Sequence, residues 1–600
     1  GSLDRRPQVA MQALPSPVRS GLGLGMAPES AKSPPGEPGG AEGAGLEYVY
    51  LKDYFGHEQF RGGQHEVVCA AVQRRDIAVF WATGAGKSLC YQLPALQTGK
   101  TVLVVSPLIS LMLDQTTKFN ATVGAGREST CRACFLGTAQ PDPNVEQAAL
   151  RGEYRLVYLT PEKLTGSFLE RLKPLHARGG IALIAVDEAH CIPQWGKNFR
   201  KDYTGLGDIL EAWSVPVRAF TATATVSMQE TIRRELRLKN PVLVSGDTGR
   251  PNLSYGVVQR HGKLGLDQLM ELIEKHPNQC GIVYCLARKD TEKIAEALAA
   301  QGVSCRRYHA GLSAKERDEA FTDFMSGRVD VMVATVAFGM GIDKPDVRFV
   351  VHVSLPHSLV NYIQETGRAG RDGEPSDCVM LCKPSDYGRA IRLHDASDRS
   401  LAEGKNRLHE MMGYAAGVRC RRALIEEGIS SRPSAMRCGS CDVCRGELQP
   451  LSDSVEVARR LLRGVLETGQ WFGSKHVVHV LLGRSTKEIR KWRHDEASCH
   501  GSLDGQGHAA DALIAYLEQM TAQGLLVNRN KRFMYRVLQL TTAGRELLQG
   551  AGGDVQLLHH ASMDTGAGAM AAARKRASSK KASKKVVAHG GPQASAAQEL

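Results

Sequence analysis

Thr83-Gly84-Ala85-Gly86-Lys87-Ser88 lies between an apolar run, Ile77–Trp81, and a helix-like run, Leu89–Ala95. In that setting glycines let successive backbone N–H groups curl around phosphate oxygens, with the partial positive charge of a helix N-terminus behind them. Thr83, Gly84 and Gly86 then shape the loop, Lys87 reaches the β- and γ-phosphates of a nucleoside triphosphate, and Ser88 ligates Mg²⁺. Trp81 stands where the pattern has its first glycine and is expected to narrow the loop's mouth. Asp187-Glu188-Ala189-His190 closes a second apolar run, Ile181–Val186, so its carboxylates emerge at the C-terminal edge of a parallel sheet, beside the loop. Asp187 would hold Mg²⁺ through water, and Glu188 would orient and deprotonate the water that attacks the γ-phosphate. A third segment, Gln364–Arg371, carries Arg368 and Arg371 three residues apart, as on one helical face. Either they neutralise charge on the transferred phosphoryl group across an interdomain cleft, or they make salt bridges at a helix start. Spacing alone does not separate the two.

A different chemistry resides in the cysteines. Cys438-x-x-Cys441-x-x-Cys444 supplies three thiolates on tight turns, and Cys420 can supply a fourth. Four soft ligands suit tetrahedral Zn²⁺ with no open position, which is a structural centre. Cys131-x-x-Cys134 has no second pair and reads as structural or incidental. The chain's 15 cysteines among 600 residues are too few for a disulfide scaffold, and Cys280, Cys285, Cys378 and Cys382 fall in strand-like runs. A reducing compartment is expected.

The elements that must position these groups emerge from hydrophobic rhythm. Over 46–248, short β-branched runs (Ile77–Trp81, Thr101–Ser106, Arg155–Leu159, Ile181–Val186, Val217–Thr221) alternate with helical stretches, predicting an α/β domain with a parallel sheet. After a loop at Gly249-Arg250-Pro251-Asn252 the rhythm restarts over 249–399 with Gly281–Cys285, Ser304–His309, Val329–Thr335, Val347–Val353 and Asp377–Leu381. Two tandem α/β domains are expected. A zinc-binding helical module over 400–450 and a small helical domain over 451–550 come next. The ends, 1–45 and 551–600, are low in apolar residues and expected to be disordered. The chain starts at Gly1-Ser2 rather than Met, which suggests a cloning scar, a fragment or an incomplete gene model, with upstream domains left open.

Of the net charge of +13, residues 451–600 carry +8, including Arg574-Lys575-Arg576 and Lys580–Lys585. A polyanion partner near the C-terminal end fits that excess, although solubility alone would also account for it. No run of 18 uninterrupted apolar residues occurs, and neither a spanning helix nor a secretory signal is supported.

Taken in order, these motifs resemble the RecQ family of superfamily 2 DNA helicases, over most of 46–550. The resemblance rests on Phe55-Gly56-His57 with Phe60-Arg61 and Gln64, the Lys87 loop, Ser106–Met112, Asp187–His190, Thr221-Ala222-Thr223-Ala224, Tyr308–Gly311, Ala334–Gly341 with Asp343, and Gln364–Arg371. It implies that His57 stacks on adenine, that Arg61 binds it too, and that Gln64 selects ATP over GTP by hydrogen bonds. It also implies that both α/β domains are RecA-like and that DNA is unwound 3′ to 5′. His57 and Asn530-Lys531-Arg532-Phe533-Met534 look most like the Werner-type members.

The family's aromatic-rich loop reads Cys191–Tyr203 here. Trp195 and Phe199 can offer stacking faces worth about 1–3 kcal/mol per base and Arg200 a phosphate contact, unless both aromatics are core packing. Lys197 and Asn198 depart from the usual loop. Residues 451–550 resemble the family's winged-helix domain, with Leu525–Val527 and Tyr535–Leu540 flanking the basic turn Asn528–Arg532 as a hairpin. By resemblance, Lys531, Phe533 and Met534 sit at a wedge that meets the duplex junction. The other reading of Phe533 and Met534 is a pair closing the domain's own core.

The expectation is therefore an ATP-hydrolysing 3′–5′ helicase that uses ATP, Mg²⁺ and Zn²⁺ and acts on single-stranded and forked duplex DNA, with no membrane partner. A monomer is the default, protein partners are not legible, and nuclear import through 574–585 is anticipated. The alternative is a DNA-structure binding or annealing protein with a regulatory ATPase.

Overall fold

A computed structural model describes residues 45–560, apart from 83, 108, 124–130, 138–139, 141, 195–196, 223, 247–248, 340–341, 394–400, 532–534 and 552–554. Seven parallel strands form the first sheet: β1 (Ile77–Phe80), β2 (Thr101–Val105), β3 (Ala133–Leu136), β4 (Leu156–Leu159), β5 (Ile181–Val186), β6 (Val217–Thr221) and β7 (Val242–Ser245), in the order β3-β4-β2-β5-β6-β1-β7. Central strands such as β1, β2 and β4 are buried at every position, because helices cover both faces of the sheet and leave no wet side for alternation. Two apolar cores result, one on each face.

The second sheet runs β10-β11-β9-β12-β13-β8, again all parallel, from β8 (Leu253–Gln259), β9 (Cys280–Tyr284), β10 (Cys305–Tyr308), β11 (Val331–Ala334), β12 (Val347–His352) and β13 (Ser376–Cys382). Edge strand β10 exposes Arg306 and Arg307, charges that discourage pairing with another chain. The opposite edge, β8, is covered by the helical cysteine module, whose Asp442 bonds to the β8 backbone at Val257. Helices Leu401–Ala416 and Arg421–Ser430 pack on this lobe, and Met411, Tyr414, Cys420 and Cys441 belong to its core.

The C-terminal domain has its own core, built from helices Ser454–Glu467, Ser474–Leu481 and Ala510–Ala522 and the antiparallel hairpin β15 (Leu526–Lys531) and β16 (Tyr535–Leu540). The expected architecture is thus present: two parallel-sheet lobes, a helical cysteine module and a hairpin-bearing helical domain.

Three expectations change. Strands β3, β7 and β8 escaped the rhythm; β3 is four residues long and contains Cys134, so half of the Cys131–Cys134 pair is buried strand core. The C-terminal domain does not stop at 550. Val555 and Leu557 are buried, β17 (Leu558–His560) pairs with β14 (Leu448–Pro450), and the Gln519 and Gln523 side chains hold the backbone of Leu558 and Gln556. Finally, the helix over Leu359–Thr366 ends before the arginines. The chain turns after Thr366, with Gly370 at a φ of 54°, so Arg368 and Arg371 sit on a turn rather than on a helical face, and a Cβ at Gly370 would lie 2.4 Å from Asn252 Nδ2. The segments 1–44 and 561–600, including the basic run 574–585, lie outside the described residues.

Candidate active site

The phosphate loop joins β1 to the helix Leu89–Thr98, as the strand–loop–helix setting requires. Gly84 and Gly86 adopt φ of 86° and 77°, and a Cβ on Gly86 would lie 2.4 Å from Gln64 Nε2. Gln64 is buried and grips the loop: its Nε2 donates to the carbonyls of Ala85 (3.3 Å) and Gly86 (3.1 Å), while its Oε1 accepts from the Arg61 amide (2.8 Å). The segment carrying His57, Arg61 and Gln64 is therefore tied directly to the phosphate loop. His57 and Arg61 are exposed beside it.

Lys87 Nζ donates to the carbonyls of Trp81 (3.1 Å) and Ala82 (3.3 Å), folded against the loop it would leave to meet a phosphate. Burial pushes its pKa down, while Glu188 and Asp187 push it up. Trp81 does not narrow the mouth. Its ring is buried against Gly63 and Gly246, where a Cβ would come within 2.9 and 2.5 Å of the indole. Two side-chain-free neighbours make that seat. Thr83 lies outside the described residues.

Asp187 comes directly after β5, and Glu188 occupies a left-handed φ of 50°, a strained position for a non-glycine. Asp187 Oδ1 accepts from the Glu188 amide at 2.9 Å. Burial and the Glu188 charge push Asp187 up, whereas burial of Glu188 is overcome by His190, Lys87 and Arg368, which hold it down. Two half-buried carboxylates that repel one another fit a divalent cation. Asp187 and Ser88 are the residues that would hold Mg²⁺, which would supply charge neutralisation to the phosphates. His190 Nδ1 lies 3.1 Å from Glu188 Oε2 and 3.0 Å from Thr221 Oγ1. Burial alone would lower the His190 pKa, but Cys191 and Glu188 raise it to about 10. The motif at the end of β6 thus reaches the Glu188 carboxylate through one imidazole.

Arg368 and Arg371 come from the second lobe and face this chemistry. Arg368 is close enough to Glu188 to lower its pKa, and Arg371 close enough to Lys87 to do the same there. Arg371 Nη1 donates to Asp343 Oδ1 at 2.8 Å, and Asp343 also pairs with Lys118 of the first lobe, which pairs in turn with Asp114 at 3.0 Å. An ion ladder of alternating sign therefore spans the two lobes. The turn carrying the arginines is fastened from the interlobe loop. Arg250 Nη2 donates to Ala369 O (2.9 Å) and Gly370 O (2.6 Å), and Asn252 Nδ2 to Gly370 O (2.8 Å). Arg250, Asn252, Lys118 and Asp114 were not singled out from sequence. Nothing in their spacing marks them, because the contacts that matter are made across the fold rather than along the chain.

The cysteine centre is assembled as expected: the sulfurs of Cys420, Cys438, Cys441 and Cys444 lie within 4.8 Å of one another. Amides donate to them, Cys441 N to Cys438 Sγ (3.3 Å), Cys444 N to Cys441 Sγ (3.4 Å) and Cys438 N to Cys420 Sγ (3.4 Å). Such donors stabilise thiolates and fit Zn²⁺. Beside them Arg421 forms a buried bidentate pair with Asp442, 2.9 and 3.0 Å, and Asp442 Oδ2 accepts from the β8 amide of Val257 at 2.9 Å.

Of the expected DNA contacts, Trp195, Phe533 and Met534 lie outside the described residues. Phe199 and Arg200 fall in the helix Lys197–Trp213 and Lys531 in β15, with side chains outside the described set.

Comparison with known proteins agrees with this layout. A DEAD/DEAH box helicase model matches residues 61–232, the helicase conserved C-terminal domain 265–373, and the RQC domain 451–558. The chain is 36% identical over 507 residues to the ATP-dependent DNA helicase RecQ of Haemophilus influenzae, covering 83% of this chain and 79% of that one. It is 39% identical over 528 residues to the bifunctional 3′-5′ exonuclease/ATP-dependent helicase WRN of Mus musculus, covering 83% of this chain and 37% of that one. Among solved structures, the DUF1998 helicase MrfA bound to DNA aligns with a TM-score of 0.49 at 20% identity, over 63% of this chain and 58% of that one. With the phosphate loop, the acidic motif and the arginine-bearing turn in one seam, and a RecQ relative 36% identical over most of both chains, the chain belongs to the RecQ family of helicases.

Proposed function

We propose that this protein is an ATP-dependent DNA helicase that moves 3′ to 5′ on single-stranded DNA and opens forked duplexes. The observation that carries the reading is the seam: Arg371 of one lobe pairs with Asp343, which pairs with Lys118 of the other, and the charges of Arg368 and Arg371 act on Glu188 and Lys87. ATP seated on the phosphate loop would be held by Lys87, and the two arginines would neutralise charge as the γ-phosphoryl group leaves. Glu188, kept ionised by its positive neighbours, can take the proton of the attacking water. Hydrolysis removes the anion that both lobes share, so the lobes part, and repeated closing and opening becomes travel along a strand. Breaking one stacked pair costs roughly 0.6–2.2 kcal/mol, well within what a hydrolysis step supplies.

Zn²⁺ held by Cys420, Cys438, Cys441 and Cys444 serves folding in this reading, and hairpin β15–β16 serves as the wedge. Import into a nucleus through 574–585 remains part of the proposal. The test is Mg-ATP turnover with and without single-stranded DNA, beside strand separation on 3′-tailed and 5′-tailed forks. Separation of the 3′-tailed fork only, with DNA-stimulated turnover, is expected; turnover without separation would return the alternative.

A further inference from the structure

Away from the seam, a second set of metal-ligating side chains converges on the helix pair that opens the described chain. Glu47 lies on helix Leu46–Phe55, and His65 and Cys69 lie on helix Gln64–Val72. Four residues apart, His65 and Cys69 stand one above the other on a single helical face. Glu47 Oε1 is 2.9 Å from His65 Nε2, and Cys69 Sγ is 3.3 Å from the same nitrogen. All three donor atoms lie within 4.8 Å of one another, the closeness that also marks the four-cysteine centre.

The imidazole is held in that direction by packing. Tyr48 and Phe60 have ring centroids 5.1 and 5.3 Å from it and pack edge-on to each other at 5.0 Å. An ion pair of Glu47 with His65 accounts for only one of the contacts. A ring nitrogen carries at most one proton, so a carboxylate and a thiol can only share it in a weaker bifurcated bond. A cation accepting a lone pair from each of the three satisfies all of them. Carboxylate oxygen, imidazole nitrogen and thiolate sulfur are together the ligand set of zinc rather than of magnesium or calcium. The side chains of Glu47 and His65 are 21% and 44% exposed, which leaves room for water as a fourth ligand.

We propose that Glu47, His65 and Cys69 form a zinc-class divalent cation site, with three protein ligands and one position open to solvent. On binding, the Cys69 proton passes to solvent and the cation staples the two helices together, next to the Phe60–Gln64 segment that grips the phosphate loop. The site is independent of the four-cysteine centre and of the ATP chemistry.

The test is a Co²⁺ titration of the full chain after its four-cysteine centre has been filled with Zn²⁺. The wild-type protein is expected to bind one further equivalent with a thiolate-to-cobalt charge-transfer band. Cys69→Ser should abolish the band, and both Cys69→Ser and His65→Ala should weaken the added equivalent by about a hundredfold. Glu47→Gln should weaken it while keeping the band. A rise in melting temperature with Zn²⁺ in the wild type but not in Cys69→Ser would support the site, provided that the two melt alike in chelator. No added equivalent in the wild type, or an undiminished band in Cys69→Ser, would overturn it.

Discussion

The second lobe meets its two neighbours through junctions of opposite construction. Toward the first lobe the described bridge is the Lys118–Asp343 pair, whose side chains are 47% and 48% exposed. Toward the cysteine module the joint is Arg421–Asp442, at 2% and 1%, with a backbone amide of β8 as a further donor. Exposed pairs contribute at most about 1 kcal/mol each, whereas removing one partner of a buried pair costs roughly 3–5 kcal/mol. One junction can therefore open and close at every turnover, while the other makes the second lobe and the cysteine module a single body. The difference locates motion at the seam and rigidity at the β8 edge.

The largest effects are expected where the seam does chemistry. Lys87→Ala should lower DNA-stimulated ATP turnover by about 10²–10³-fold or more, and Glu188→Gln by about 10²–10⁴-fold, both read by phosphate release. Unwinding that survives either change would remove the assignment of these residues.

Next comes the fixed joint. Asp442→Ala should lower unfolding free energy by about 3–5 kcal/mol, measured by denaturant titration, because the Arg421 guanidinium is left buried without its partner. Stripping the metal from the four-cysteine centre should destabilise the same body. An unchanged melting temperature after verified metal loss would contradict a structural role.

Smaller still is the latch. Lys118→Ala should reduce turnover by up to about fivefold with little change in ATP affinity, Lys118→Arg should restore it, and the deficit should shrink as salt is raised. If Lys118→Ala proves as damaging as Asp442→Ala, the two junctions do not differ as described.

The smallest effect concerns pH. Burial would raise the Asp343 pKa, but Lys118 and Arg371 hold it below its ordinary 3.8, so its contribution is present above that value and lost only in acid. Burial would lower the Lys118 pKa, but Asp343 and Asp114 raise it above 10.5, so its contribution fades only in strong alkali. The Lys118→Ala deficit should stay constant from about pH 6 to about pH 9. A deficit that varies across that window would show another titrating group in the latch.

The chemistry of this chain was more legible than its mechanics. The phosphate loop, the Asp187–Glu188 pair and the Cys438–Cys444 spacing each carry their geometry within a few residues, so type and spacing sufficed. Lys118, Arg250 and Asn252 act through partners brought near by the sheets, and no local pattern announces that. Two signals misled. Arg368 and Arg371 have the spacing of a helical face, but the helix ends at Thr366 and Gly370 turns the chain, and Trp81 stands where a glycine is expected, but its ring is seated against Gly63 and Gly246. Strand β7 was missed because four half-exposed edge residues offer little apolar pattern, and Val555–His560 because its apolar run is surrounded by Gly, Ala and Asp.

The central claim is that arginines from one lobe complete an ATP site on the other. The direct test is to make Arg371→Ala and Arg368→Ala and measure Mg-ATP binding and single-turnover hydrolysis on the same samples. The account predicts ATP affinity within a few-fold of wild type and a hydrolysis rate lowered by about 10³-fold. Hydrolysis at the wild-type rate in both variants would contradict it.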